Sequence, residues 1–392
     1  MWAVTPGTPF PSVACQYAEC VNELICLDMP CGQDMVDRIQ KAWENGDAVF
    51  PLNQKAPPPL KKQLIEAARP TRIVTVDNDT SHEGQPVETG DGAVIATSGT
   101  SGEPKCVVLT LDALRASAVA SHRRLGIDAD DVWLCCLPPS HVGGFGVIAR
   151  SLLTSTRLIV HDGFSVDGYN SAADNGATCV SLVATALNRV DPQRYATILL
   201  GGSRPPTDLP VNCTTTYGMT ESGGGVIYNG VALDGVEIDI REGIIHLRST
   251  MLMRTFRDGT SPIDSDGWLY TGDAGFVDAL GKLFVEGRVG DLIITGGENV
   301  WPDQVEQSIN SHPSVTECCV ASLPDPEWGH IVSAWIVLNV GTTLTLDDVR
   351  QHVKQTLPAY CAPRQIHIVD AIPRTSLGKA QRHLLQREQI QK

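Results

Sequence analysis

The run Ala96-Thr97-Ser98-Gly99-Thr100-Ser101-Gly102-Glu103-Pro104-Lys105 joins two apolar segments, 93–96 before it and 106–109 after it. From Thr97 to Gly102, two glycines and four hydroxyl residues fill six positions. Glycines let backbone N–H groups turn inward with no Cβ in the way, so such a loop can wrap phosphate oxygens with amides and hydroxyls. Lys105 adds a point charge. The loop is not a Walker A sequence. Pro104 stands where a glycine would precede the lysine, and Cys106 follows instead of Ser or Thr. An ordinary Ser/Gly turn is the bland alternative that the loop alone leaves open.

Outward from this loop, strands and helices alternate. The periodicity predicts helices over 35–45, 61–68, 110–125, 146–153 and 180–188. It predicts strands over 48–52, 72–76, 93–96, 132–137, 157–160 and 197–200. This β-α-β rhythm implies an α/β fold with a mostly parallel sheet covered by helices. After about Val231, short β runs separated by Gly and Asp suit antiparallel hairpins or a small barrel. From Asp291 onward, two helices among four strands read as a small α+β unit of about 100 residues.

The chain has 392 residues, 42% of them hydrophobic, enough for two or three compact units. Its formal net charge of -15 argues against nucleic acid or an anionic membrane as partner, since both attract Lys and Arg. Between Met1 and Cys20 there is no basic stretch followed by an apolar one, and no apolar run reaches the roughly 18 residues of a membrane span. The expected location is cytoplasmic. The 12 cysteines include Cys15, Cys20, Cys26 and Cys31 and the adjacent pairs Cys135-Cys136 and Cys318-Cys319. None lies at C-x-x-C or zinc-ribbon spacing, so they read as reduced, small apolar residues.

Further motifs follow in order: Thr216-Tyr217-Gly218-Met219-Thr220-Glu221, Tyr270-Thr271-Gly272-Asp273, Gly287-Arg288, Gly296-Gly297-Glu298-Asn299, and Pro373-Arg374-Thr375-Ser376-Leu377-Gly378-Lys379. Taken singly, Glu221 reads as a solvated acid, Asp273 as a turn residue and Lys379 as surface charge. Together with the 97–105 loop, they resemble the adenylate-forming superfamily of acyl-CoA synthetases, peptide-synthetase adenylation domains and luciferases. The resemblance spans nearly the whole chain, with a shorter N-terminal region than is usual in the family.

It implies a large N-terminal domain, residues 1–287, of βα-layered sheets plus a small barrel, and a small mobile α+β domain, residues 288–392. The implied cofactors are ATP, Mg²⁺ and coenzyme A. Thr97, Ser98, Gly99, Thr100, Ser101, Gly102 and Lys105 would hold phosphate, with Thr216, Tyr217 and Gly218 beside the nucleotide. Glu221, a hard carboxylate donor, would hold Mg²⁺ together with Thr100, and Thr220 would donate to the α-phosphate. Asp273 and Arg288 would bind the ribose, and Gly201, Gly202 and Ser203 would line the adenine and acyl pocket. Lys379 would offset charge on the pentavalent transition state of adenylation. The small domain would rotate to present Gly296 and Gly297 to the pantetheine arm, with Trp301 beside it or in a core. The family's hinge position carries Asp or Lys; here it is Gly290, followed by Asp291, which leaves the pivot residue open.

Leu137-Pro138-Pro139-Ser140-His141-Val142-Gly143-Gly144-Phe145-Gly146 matches the motif that precedes the acyl pocket in that superfamily. His141 either gates the pocket, touches the carboxylate or is a structural histidine. Nine residues later, Arg150 interrupts an apolar helical stretch. It snorkels, pairs with an acid, or meets a second carboxylate on the substrate. The short chain and the run from Tyr217 to Val236 resemble the actinobacterial form of the o-succinylbenzoate–CoA ligases of menaquinone biosynthesis. There a basic residue nine after the motif histidine meets the far carboxylate, so the benzoate carboxylate would face Arg150 while the succinyl carboxylate is activated. A ligase for another aryl or short-chain acid, a domain loading a carrier protein, and a non-catalytic nucleotide-binding regulator are the rival readings. The expected partners are small molecules, and a homodimer is one open assembly.

Overall fold

The computed structural model describes residues 22–98, 104–202, 204–206, 208–374 and 380–390. The first of its four sheets has seven strands, ordered Thr255–Phe256, Pro104–Thr110, Asp91–Ser98, Ala48–Pro51, Leu24–Leu27, Arg72–Val74 and Asp79–Ser81. The second also has seven, ordered Val231–Ala232, Gly224–Tyr228, Cys213–Met219, Thr197–Leu200, Cys179–Leu182, Val132–Cys135 and Arg157–Val160. Its last five strands run parallel to one another. The two innermost four-residue strands, 132–135 and 179–182, are buried at every position. Burial on both faces is what a parallel sheet under helices requires.

The sheets carry helices whose ends are set locally. Leu111–Leu125 starts at Thr110, whose Oγ1 accepts from the Ala113 amide at 3.1 Å. It stops at Gly126, in the left-handed region with φ 69°. It packs against Val142–Thr154, and the largest hydrophobic cluster joins both helices to both large sheets. The stretch 180–188, predicted helical, instead opens with the strand Cys179–Leu182 and keeps one helical turn, Ala184–Leu187. An apolar run without alternation does not distinguish a doubly buried strand from a buried helix. The helix Val166–Asp174, capped by Ser165, lies where no element was predicted.

A four-stranded antiparallel sheet follows: Val236–Arg241, Ile244–Ser249, Leu269–Val277 and Leu283–Arg288. The fourth sheet holds Glu298–Val300, Ile293–Thr295, Gly329–Leu338 and Val315–Asp325, with Gln365–Ile368 paired to Gly329–Leu338. Two hydrophobic clusters there draw only on residues 293–385. Arg382 donates to the Val320 carbonyl at 3.0 Å, to Asp291 at 3.2 Å, to Asp303 at 2.6 Å and to Glu306 at 2.9 Å. Burial pushes the Glu306 carboxyl up to about 7, against the pull of Arg382. Ten described cysteines are buried and free, and no group of His, Cys, Asp and Glu among the described residues is placed to hold a metal. No described helix is long and apolar enough to cross a membrane.

Arg257 closes the first sheet. Its buried guanidinium donates to the carbonyls of Ala68 and Pro86 at 3.0 Å each, and to those of Arg69 and Gln85. It thereby caps the helix Pro58–Ala68 and pins the loop before Asp91. We expect Arg257→Met to cost roughly 3 kcal/mol of stability, measured by chemical denaturation, because it strands several carbonyls without donors.

Candidate active site

The 216–221 motif occupies the carboxyl end of the strand Cys213–Met219 and the single turn Thr220–Ser222. In open α/β sheets, ligands bind at such strand ends. Glycine makes the local packing possible. A Cβ at Gly218 would lie 1.9 Å from the Gly224 carbonyl oxygen, so only glycine allows the next strand this close. A Cβ at Gly201 would lie 2.7 Å from the Thr216 Oγ1, which itself donates to the Leu200 carbonyl at 3.2 Å. Gly201 and Gly202, after the neighbouring strand, thus flank Thr216. The turn is fixed by Ser222, whose Oγ accepts from the Met219 amide at 2.9 Å.

The phosphate-loop sequence joins the antiparallel strands Asp91–Ser98 and Pro104–Thr110, with Thr97 opposite Lys105. The Thr97 hydroxyl donates to the Lys105 carbonyl at 3.4 Å. Lys105 places its ammonium 4.9 Å from the Phe256 ring centre. A short strap, residues 253–257, links this hairpin to the Glu221 turn. The Met253 amide donates to the Glu221 carbonyl at 2.8 Å, and the amides of Arg254 and Arg257 donate to Val108 at 2.9 Å and Cys106 at 2.8 Å. Arg254 also grips the buried Asp91 with two bonds, 2.9 and 2.8 Å. Glu221 and Thr220 are partly exposed.

Asp273 and Arg288 face each other across the antiparallel strands Leu269–Val277 and Leu283–Arg288. Arg288 Nε donates to Asp273 Oδ1 at 2.9 Å, and the Tyr217 hydroxyl donates to Oδ2 at 2.8 Å. The Tyr217 bond joins the parallel sheet to the antiparallel one. Burial, then the Asp273 charge, holds the Tyr217 phenol proton well above the ordinary range. Each Asp273 oxygen retains a lone pair for another donor, as a ribose diol requires.

His141 precedes the helix Val142–Thr154, and its carbonyl accepts from Gly144 at 3.0 Å and Phe145 at 2.9 Å. Further along the helix, Arg150 Nη2 lies 3.4 Å from where a Gly146 Cβ would stand. Its Nη1 is buried with no hydrogen-bond partner among the described residues. Burial lowers its pKa from the ordinary arginine value. The groups that favour its charge are Tyr228, Cys135 and Cys179, none of them a carboxylate. Its guanidinium carbon lies 4.9 Å from the Trp133 ring centre. The Trp133 indole donates to His122 Nε2 at 3.1 Å, and the Tyr228 and Ser121 hydroxyls lie 2.7 Å apart.

The family described as AMP-binding enzyme matches residues 33–297, and the AMP-binding enzyme C-terminal domain matches 304–379. The chain belongs to the AMP-binding enzyme family. A Mycobacterium tuberculosis H37Rv protein named probable 2-succinylbenzoate–CoA ligase is 36% identical over 331 residues, covering 78% of this chain and 86% of that one. The 2-succinylbenzoate–CoA ligase of Bacillus anthracis is 31% identical over 336 residues, covering 75% and 68%. The solved structure of o-succinylbenzoate CoA synthetase from Bacillus subtilis, in complex with the acyl-adenylate intermediate OSB-AMP, superposes with a TM-score of 0.83 at 26% identity, covering 93% and 88%.

In this AMP-binding enzyme the expected residues Gly201, Thr216, Tyr217, Gly218, Asp273 and Arg288 are linked by direct contacts or by adjacency in the chain. Gly296 and Gly297 form the two-residue turn between Ile293–Thr295 and Glu298–Val300, with φ of 59° and 86°. Gly296 donates to the Trp328 carbonyl at 3.0 Å and packs on the Trp328 ring. Trp301 stacks on Gly287, where an added Cβ would lie 2.9 Å from its ring. Gly99, Thr100, Ser101, Gly102, Ser203 and Lys379 lie outside the described residues. The strap and the His122–Trp133 pair were not foreseen. An arginine at 254 and another at 257 were the only signal for the strap, and His122 looked like one more polar helical residue.

Burial, then the Arg150 charge, lowers His122 from 6.5 to about 4, so it is neutral at neutral pH and accepts from Trp133. A depressed folded pKa gives stability that is present above 6.5 and lost as pH falls through about 4. We expect about 3 kcal/mol of acid-side loss from this group. His122→Phe should remove that part of the pH slope, measured by denaturation between pH 7 and about 4.

Proposed function

We propose that this protein is an AMP-forming acid–CoA ligase that converts o-succinylbenzoate to o-succinylbenzoyl-CoA in menaquinone biosynthesis. The observation that carries the substrate is Arg150, whose Nη1 is buried with no hydrogen-bond partner among the described residues and with no carboxylate among the groups that favour its charge. An unpaired buried cation is costly, and a substrate carboxylate relieves the cost on binding. The named relatives at 31–36% identity support the same acid.

In the first step a succinyl carboxylate oxygen attacks the α-phosphorus of ATP. The bond to the bridging oxygen breaks and pyrophosphate leaves. In the second, the CoA thiol sulfur attacks the acyl carbonyl, its proton passes to solvent, and AMP leaves with the bridging oxygen and the electron pair of the acyl carbon–oxygen bond. Asp273 would accept the ribose hydroxyls while Tyr217 and Arg288 hold its carboxylate in place. Thr216 and the glycines at 201, 202 and 218 leave room for the nucleotide. Arg150 would fix the aromatic carboxylate, so that only the succinyl end reaches phosphorus. His141 would stand at the pocket mouth.

Glu221 suits Mg²⁺, which keeps most of its waters and needs only one or two carboxylates besides phosphate oxygens, with Thr100 a further oxygen donor. The ion would neutralise phosphate charge. Lys379 would stabilise the adenylation transition state. The chain would divide into a body, 1–287, and a mobile domain, 288–392, that turns between the two steps and brings Gly296 and Gly297 to CoA. This division is supported by the two hydrophobic clusters confined to 293–385 and by the two family matches that part at 297 and 304. A cytoplasmic reaction fits ATP and CoA as substrates.

Pyrophosphate release, with CoA present, would be measured across o-succinylbenzoate, benzoate, acetate, octanoate and several amino acids. O-succinylbenzoate should dominate; turnover led by a plain monocarboxylate would discard the substrate assignment. Arg150→Ala should lower the preference for o-succinylbenzoate over 4-oxo-4-phenylbutanoate, the same acid without its aromatic carboxylate, by at least about 100-fold in kcat/KM. Lys379→Ala should cut acyl-adenylate formation by about 100-fold or more, followed as pyrophosphate exchange.

A further inference from the structure

We propose that Trp133 and His122 are positioning residues that set the acid preference by holding the Arg150 guanidinium in place. This rests on the reading of Arg150 as the receptor for the second carboxylate. A guanidinium on a long side chain has many rotamers, and a receptor that wanders loses most of its preference. Here the choice is narrowed from one side by the Trp133 face, 4.9 Å from the guanidinium carbon. Trp133 is fully buried in the strand Val132–Cys135, so it does not move with solvent.

The ring plane is fixed in turn. The indole N–H donates to His122 Nε2 at 3.1 Å, and the two rings lie 6.1 Å apart at 15°. That bond needs an unprotonated Nε2, so His122 is the tautomer with its proton on Nδ1. A protonated ring would lose the acceptor and set a second cation near Arg150. The adjacent residue, Ser121, meets the Tyr228 hydroxyl at 2.7 Å, and Tyr228 is among the groups that favour the Arg150 charge. Two successive positions of the helix Leu111–Leu125 therefore brace two aromatic side chains of the second sheet, of which Trp133 faces the guanidinium. The sequence signal is a Ser-His pair on one helix and a tryptophan on the next strand.

The test is the ratio of kcat/KM for o-succinylbenzoate to that for 4-oxo-4-phenylbutanoate, taken with the KM for each acid. His122→Phe keeps a flat ring but strands the indole N–H in the core; the ratio should fall about tenfold, mostly through the KM for the dicarboxylate. His122→Gln keeps an acceptor and should recover most of it. Trp133→Phe keeps an aromatic face and should lower the ratio only about threefold. The double variant His122→Phe/Trp133→Phe has no stranded donor and should exceed His122→Phe alone. If His122→Phe does not fold, His122→Gln and Trp133→Phe against Trp133→Leu carry the test, with Trp133→Leu expected to lose about tenfold. Equal losses for both acids in every variant, or an unmoved ratio, would overturn the positioning role. Arg150→Ala separates the two claims: if it leaves the ratio intact, the substrate reading fails; if it collapses the ratio while the His122 and Trp133 variants do not, only the positioning role fails.

Discussion

The site depends on a five-residue strap. The proposed adenylyl transfer would need the strand leading into the 97–105 loop and the Glu221 turn in one fixed relation, yet they lie more than 100 positions apart in the chain. Backbone amides of 253–257 satisfy carbonyls on both, at Glu221, Val108 and Cys106. Side chains of the same strap hold it down. Arg254 reaches the buried Asp91, and Arg257 reaches carbonyls at the end of a helix and in the loop before Asp91. Charged donors on buried acceptors make bonds worth roughly twice a neutral one, which suits a part that must not drift. A misplacement of about 1 Å between phosphate ligands can cost about 100-fold in rate.

The same economy of space governs the nucleotide side. Gly218 lets two strand ends approach to a distance no side chain tolerates, and Gly201 does the same beside Thr216. The backbone is then free to face the ligand, and the polar work passes to a few side chains. Tyr217, Asp273 and Arg288 form one hydrogen-bonded line that crosses from the parallel sheet to the antiparallel one. The order of the motifs in the chain carries none of this. Only the crossing of two sheets brings position 217 to position 273.

That difference separates what was legible in the sequence from what was not. The alternation of strands and helices, the antiparallel region after Val231 and the α+β region after Asp291 follow from local periodicity, and the structure has all three. The motif residues were legible through their order along the chain and the family resemblance it carries; taken singly, Glu221, Asp273 and Lys379 look like ordinary surface or turn residues. The run 180–188 was misread because a strand buried on both faces has no alternation to display. The strap was invisible because its function is in main-chain bonds, which any residue makes. Trp301 was left between a core and a ligand surface; its place on Gly287 depends on a strand end 14 residues earlier.

Arg150 shows why a buried polar group can be read as a statement about a ligand. Burial lowers its pKa, but arginine starts so high that it stays charged at neutral pH. Moving such a charge indoors without a partner costs several kcal/mol, which the folded chain bears before any substrate arrives. Partial relief comes from the face of Trp133, which attracts a cation weakly and releases it easily. A carboxylate built into the protein would have stabilised the fold more, and it would have filled the position a ligand carboxylate could take. Keeping His122 neutral matters for the same reason. A second cation nearby would raise the cost further, whereas a neutral acceptor fixes Trp133 and adds no charge. Specificity is a difference between two acids. On the proposed reading the protein would widen that difference by leaving one strong charge unmet and fixing its position with neutral neighbours.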